Sequence, residues 1–83
     1  MIEFTKQANG FYKHTMQGNT GTLQIKLVEG GHVVLSANLS GMPPCVVAST
    51  FSDNVILNLA YSSSVTLTIE CDKEVESAKF VEV

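Results

Sequence analysis

The side chains able to do chemistry are few in this chain, and they are poorly spaced for it. There are two cysteines, Cys45 and Cys71, and two histidines, His14 and His32. A structural zinc centre draws its ligands from close pairs, and neither the cysteines nor the histidines form one. The cysteines are expected to be free thiols acting as small hydrophobes. Serine and threonine hydroxyls abound, but no Gly-x-Ser-x-Gly elbow holds one ready for attack. His14 falls in a strand pattern and His32 beside a turn, positions that histidine occupies without any catalytic duty. The acidic residues Glu70, Asp72, Glu74 and Glu76 follow one another along a single segment. Glycoside hydrolysis needs two carboxyls opposed across a cleft, and a strong calcium loop needs denser ligands around a central glycine. A solvated acidic edge is the reading that remains. Gly18-Asn19-Thr20-Gly21 and Gly30-Gly31 precede no helix, so they read as turns and not as phosphate cradles. Asn38-Leu39-Ser40 fits the glycosylation acceptor pattern, which a chain this rich in Ser and Thr produces by chance. No catalytic, metal or cofactor residue is therefore assigned, and no enzyme is expected.

Charge narrows the partners. The 83 residues carry a net charge of −3, with five lysines, eight acidic residues and no arginine. Arginine is the residue of bidentate phosphate grip and base stacking. Its absence on an acidic chain argues against nucleic acid and against an anionic membrane surface. No run is long enough for a membrane-spanning helix. The opening Met1-Ile2-Glu3-Phe4-Thr5 has neither a basic nor an apolar leader region. Cytoplasmic synthesis without a signal peptide is the expectation, with a virion as a fitting destination.

The elements that would position these residues are strands. No window repeats apolar residues at helical spacing, whereas several alternate with period two. Residues 22–28 place Leu23, Ile25 and Leu27 on one face. Residues 32–39 do the same with Val33, Leu35, Ala37 and Leu39. A three-residue Glu29-Gly30-Gly31 loop pairs those faces as a hairpin, with Gly31 left-handed at a G1 bulge. Residues 45–51 and 55–61 follow, separated by a Ser52-Asp53-Asn54 turn. Ser62-Ser63-Ser64 then returns the chain into residues 65–71, pairing Leu59 with Leu67 in a meander. Asp72-Lys73-Glu74 turns into a last strand, 77–83. Residues 2–5 and 11–16 make an opening pair around Gln7-Ala8-Asn9-Gly10. The expectation is one all-β domain spanning residues 1–83, a small antiparallel sandwich or barrel of seven to eight short strands.

Two features remain unexplained by chemistry. Charged residues are only 16% of the chain, well under the roughly 25% of ordinary soluble domains, which suits a surface partly covered by neighbours. Apolar residues also occupy positions a monomer would leave polar: Met42, Pro43 and Pro44 in a loop, and Phe80, Val81 and Val83 at the end. These six are the expected interface. The reading is a non-enzymatic structural or assembly protein, a β-domain that forms a homo-oligomer or joins a larger protein lattice. A capsid-stabilising or tail-associated phage component exemplifies the class. The alternative is a small carbohydrate- or peptide-binding β-module, with Tyr12 or Tyr61 lining its concave patch.

Overall fold

The computed structural model describes residues 2–83. Among them there is no helix, and six strands form one antiparallel sheet that does not close: β1 (Thr5–Lys6), β2 (Tyr12–Gln17), β3 (Thr20–Leu39), β4 (Cys45–Ala60), β5 (Val65–Cys71) and β6 (Val75–Glu82). The all-β expectation holds. The strand count and the pairings differ.

Everything is organised on β3, a single strand of 20 residues. Residues 20–26 pair with 54–60 of β4 on one side and with β6 on the other. Residues 31–37 pair with 45–52 of β4, and residues 33–39 pair with β5. Beyond β5 lie β2 and then β1. The ribbon bends where β3 carries extra residues. Lys26 lies opposite Asn54 and Gly31 opposite Ser52, so four β3 residues face Asp53 alone. The β5–β6 connection, Asp72-Lys73-Glu74, follows β3 around the same corner. The Val28 N–H donates to the Glu74 carbonyl and the Asp72 N–H to the His32 carbonyl. Ion pairs Lys26–Asp53 at 3.3 Å and Lys73–Glu29 at 3.9 Å span the bend. Both are solvent-exposed, so each adds little.

The two hairpins read from the alternation are therefore absent. Residues 22–28 and 32–39 are one strand, and so are 45–51 and 55–61. Gly31 is not left-handed; among the described residues only Gly10 (φ 89°) and Gly41 (φ 82°) have positive φ. Gly31 matters for a different reason: a Cβ there would meet the Asp72 carboxylate and the Lys73 side chain. The G1-bulge geometry occurs at Gly10 instead. There the Gly10 N–H donates to the Gln7 carbonyl and the Gln7 N–H to the Phe11 carbonyl, closing the β1–β2 turn. The meander is also wrong. β5 sits between β3 and β2, and Cys71 lies opposite Val33 and Tyr12 instead of Val55.

Side-chain direction, by contrast, follows the alternation. Leu23, Ile25, Leu27, Val33, Leu35, Leu67, Ile69 and Cys71 are buried with Val55, Leu59 and Ala78 in one hydrophobic cluster. Both halves of the bent sheet feed it, which is how 83 residues assemble a core. Gly21 is buried beneath β6. The Phe80 ring and the Val81 carbonyl lie where its Cβ would be, so only glycine lets β6 approach this closely.

Candidate functional site

Strand β4 is built from β-formers: Val46, Val47, Thr50, Phe51, Val55 and Ile56 lie along it, and its 16 residues include a single charge, Asp53. The turn leading into it is a tight one. The Met42 N–H donates to the Leu39 carbonyl at 3.0 Å, with Gly41 at φ 82°. Positive φ at the third residue is the mark of a type II turn and explains the glycine. Met42, Pro43 and Pro44 are all exposed at this tip, joined by exposed Leu39, Cys45, Val46 and Val47. The loop component of the expected interface thus belongs to a larger apolar surface.

That surface continues along β4. Phe51 is 79% exposed and stacks on the His32 ring, centroids 4.1 Å apart and planes within 7°. Ile56 is 61% exposed on the far half. Among the described residues β4 pairs with β3 alone, so its other edge is open from end to end. At the C-terminus the candidates divide. Phe80 is half-buried and packs on the core; Val81 and Val83 are exposed, and the Val83 N–H is held by the Thr20 carbonyl. The β6 edge is better defended, with Glu76, Lys79 and Glu82 among its eight residues; charge on an edge discourages pairing.

The chemically capable residues are dispersed. His14 lies on the inward face opposite Ile69, against Phe4, its Nδ1 3.0 Å from the Glu3 carbonyl. His32 hydrogen-bonds Ser49 Oγ through Nε2. This pair is a hydroxyl–imidazole contact on an open strand face. Among the described residues no carboxylate orients the ring: the Asp72 carboxylate accepts from the His32 backbone N–H at 2.7 Å. Glu74 and Glu76 are exposed, and among the described residues no three His, Cys, Asp or Glu side chains gather as a metal site. Asn38 is engaged with its neighbour, donating Nδ2 to the Leu39 carbonyl. Cys71 is fully buried and Cys45 exposed, and both are free thiols. They lie four β3 positions apart on opposite sides of that strand, about 16 Å at ordinary strand spacings, beyond any disulfide. Burial, reinforced by the nearby Asp72 charge, pushes the Cys71 thiol up to about 11. A thiol held protonated is a poor nucleophile.

Two concavities complete the surface. One, of 590 Å³, lies on the outer face over Gln24, Lys26, Asn54, Ser77 and Lys79. The other, of 420 Å³, opens between β6 and the β1–β2 edge, with Phe4, Tyr12 and Val75 in its wall. Tyr12 thus does line a concave patch; Tyr61 is half-buried against the core.

The sequence reading missed β4 itself. Phe51, Val46, Val47 and Ile56 were divided between two short strands, hiding a long edge almost free of charge. The signal available was that single aspartate in sixteen residues. No family model, curated protein or solved structure matches the chain.

Proposed function

We propose that this chain is a non-enzymatic structural protein, a small sandwich-like β-domain that oligomerises, of the class that stabilises a phage capsid or joins a phage tail. One observation carries the reading: the outer edge of β4 is unpaired over 16 residues bearing one charge, flanked by exposed Met42, Val46, Val47, Phe51 and Ile56. An exposed strand edge presents unpaired N–H and C=O groups in a row, and a long apolar one recruits another chain. Pro43 and Pro44 extend this apolar surface at the β3–β4 tip, while exposed Val81 and Val83 lie apart, on the β6 side of β3. The virion setting is an association by class, drawn from small size, low charge and the lack of assembled chemistry.

Molar mass by light scattering over a concentration series tests it. A multiple of the 8.9 kDa chain mass is expected, and a monomer at every concentration overturns the assembly reading. The alternative, a peptide- or carbohydrate-binding module, draws on the 420 Å³ cleft beside Phe4 and Tyr12. It predicts a monomer whose Tyr12 fluorescence responds to ligand.

A further inference from the structure

The edge of β4 is not uniform, and its differences select a partner. In the first half, 45–52, the register slips at Val47, which is left without a β3 partner; such a bulge twists an edge away from pairing. The second half, 54–60, is regular opposite 20–26 of β3 and contains no charge, glycine or proline.

Hydrogen-bond parity shows which backbone groups are free there. The Tyr61 N–H donates to the Asn19 carbonyl, and the Val83 N–H to the Thr20 carbonyl. Antiparallel ladders alternate, so odd residues of β3 bond to β4 and even ones to β6. On β4, Val55, Leu57 and Leu59 therefore turn their backbone groups toward β3. Asn54, Ile56, Asn58 and Ala60 turn theirs toward the open edge. Asn54 is already occupied: its N–H donates to Ser52 Oγ, and its carbonyl accepts from the same hydroxyl. Among the described residues, three on this edge remain with both groups free: Ile56, Asn58 and Ala60.

This triplet is self-complementary. We propose that a second copy of this chain adds its own β4 antiparallel to this edge, about a two-fold axis at Asn58. Asn58 then faces Asn58 of the second copy, and Ile56 faces Ala60. The three free residues exchange all their N–H and C=O groups, two bonds for each of three pairs. Those six backbone bonds fall within the roughly five to fifteen of ordinary interfaces. Faces agree as well. The core side sets Leu57, only partly buried now, beside Leu59 of the second copy. The outer side sets Ile56 beside Ala60. Asn58 Oδ1 accepts from Thr22 Oγ1 at 3.2 Å, and its Nδ2 donates to nothing among the described residues, leaving a donor at the axis. With no charge in the segment, nothing repels on self-pairing. The short contact makes this a concentration-dependent dimer. The inference rests on the assembly reading and specifies its contact.

Cysteine scanning of the full chain in a Cys45→Ser background tests the register. A hydrogen-bonded antiparallel pair holds its Cα atoms about 5.5 Å apart, within disulfide reach. Under diamide, Asn58→Cys should give a covalent dimer. Ile56→Cys and Ala60→Cys should each form no covalent dimer alone yet cross-link when mixed. As a second variant, Asn58→Pro removes an N–H that points away from β3, together with the exposed Thr22 Oγ1–Asn58 Oδ1 bond, and leaves the β3–β4 backbone ladder its bonds. It should keep the β circular dichroism and lose the dimer mass. If the wild type exceeds monomer mass but Asn58→Cys does not link, or a folded Asn58→Pro keeps that mass, this register is overturned while the assembly reading stands. A wild type that stays monomeric throughout overturns both.

Discussion

Raising the pH should weaken this protein through one thiol. Cys71 has no exposed surface, and its pKa is raised from 9.0 to about 11, first by burial and then by the Asp72 charge. The folded state therefore holds the proton more tightly than the unfolded chain. Its contribution is fully present below pH 9, falls as the unfolded thiol ionises, and is gone once pH passes about 11. Two units at 1.36 kcal/mol each amount to about 3 kcal/mol. A core of this size supplies on the order of 3–5 kcal/mol in total, so most of the stability should disappear across that window. Urea midpoints at pH 7, 9, 10 and 11 measure the loss. Cys71→Val, close in volume, is the control, because it differs from the wild type only in lacking this thiol. Midpoints that fall in parallel for wild type and Cys71→Val would refute the burial argument; the expected result is a wild-type midpoint that falls more steeply than the variant's between pH 9 and 11.

Three further outcomes follow from the packing. Gly21→Ala forces a methyl against the Phe80 ring and the Val81 carbonyl and should cost about 1–3 kcal/mol, read as a lower thermal midpoint. Gly31→Val should destabilise more than Gly30→Val, whose Cβ meets nothing within 4 Å; equal midpoints would mean the Asp72 and Lys73 side chains move aside freely. Deleting residues 79–83 strips 21–24 of β3 of their β6 partners and removes Phe80 from the core. Loss of the β circular dichroism is expected, whereas a folded but dissociated domain would move the principal interface to the C-terminal strand.

The alternation of side chains was legible in the sequence, and the partners of the strands were not. Leu27 and Val33 face the core in the structure. They would also face it across a three-residue hairpin, because six residues of continuous strand preserve parity and a 27–33 pairing preserves it too. The hydrophobic pattern is identical for a turn and a bend, so glycine became the arbiter. Glu29-Gly30-Gly31 reads as turn chemistry. Here it serves a corner in which Gly31 stays extended and yields space to Asp72. The same degeneracy made Leu59 and Leu67 seem neighbours, since both belong to the core whichever strand lies between them. The turns fixed by backbone demands were readable: Gln7-Ala8-Asn9-Gly10 between the opening strands, and the break after Leu39. Of the expected interface, Met42, Pro43 and Pro44 are exposed at a hairpin tip, while Phe80 turns inward. Low overall charge suits the proposed covered surface without placing it.

The open edge follows from the economy of the fold. Bending one ribbon at residues 27–30 lets β3 and β4 serve both halves of the core with a single chain reversal at 40–44. The cost is topological: β3 becomes central in both halves, and β4 becomes the edge in both. Among the described residues no strand covers it, because β5 and β6 line the other side of β3 along its length and β2 and β1 lie beyond β5. Protection is then local. The Val47 bulge guards the first half, Asp53 and the Ser52 hydroxyl guard the corner, and charges guard β6. Residues 56–60 have none of these devices and combine apolar β-formers with zero charge, a pattern that in an exposed segment favours strand association. Three successive outward-facing residues, Ile56, Asn58 and Ala60, suffice for the pairing proposed above and fall short of the roughly six- or seven-residue segments that template fibres. In the proposed pairing, closure about Asn58 occupies the regular half of the β4 edge, so the contact that would recruit one neighbour would also end the series there.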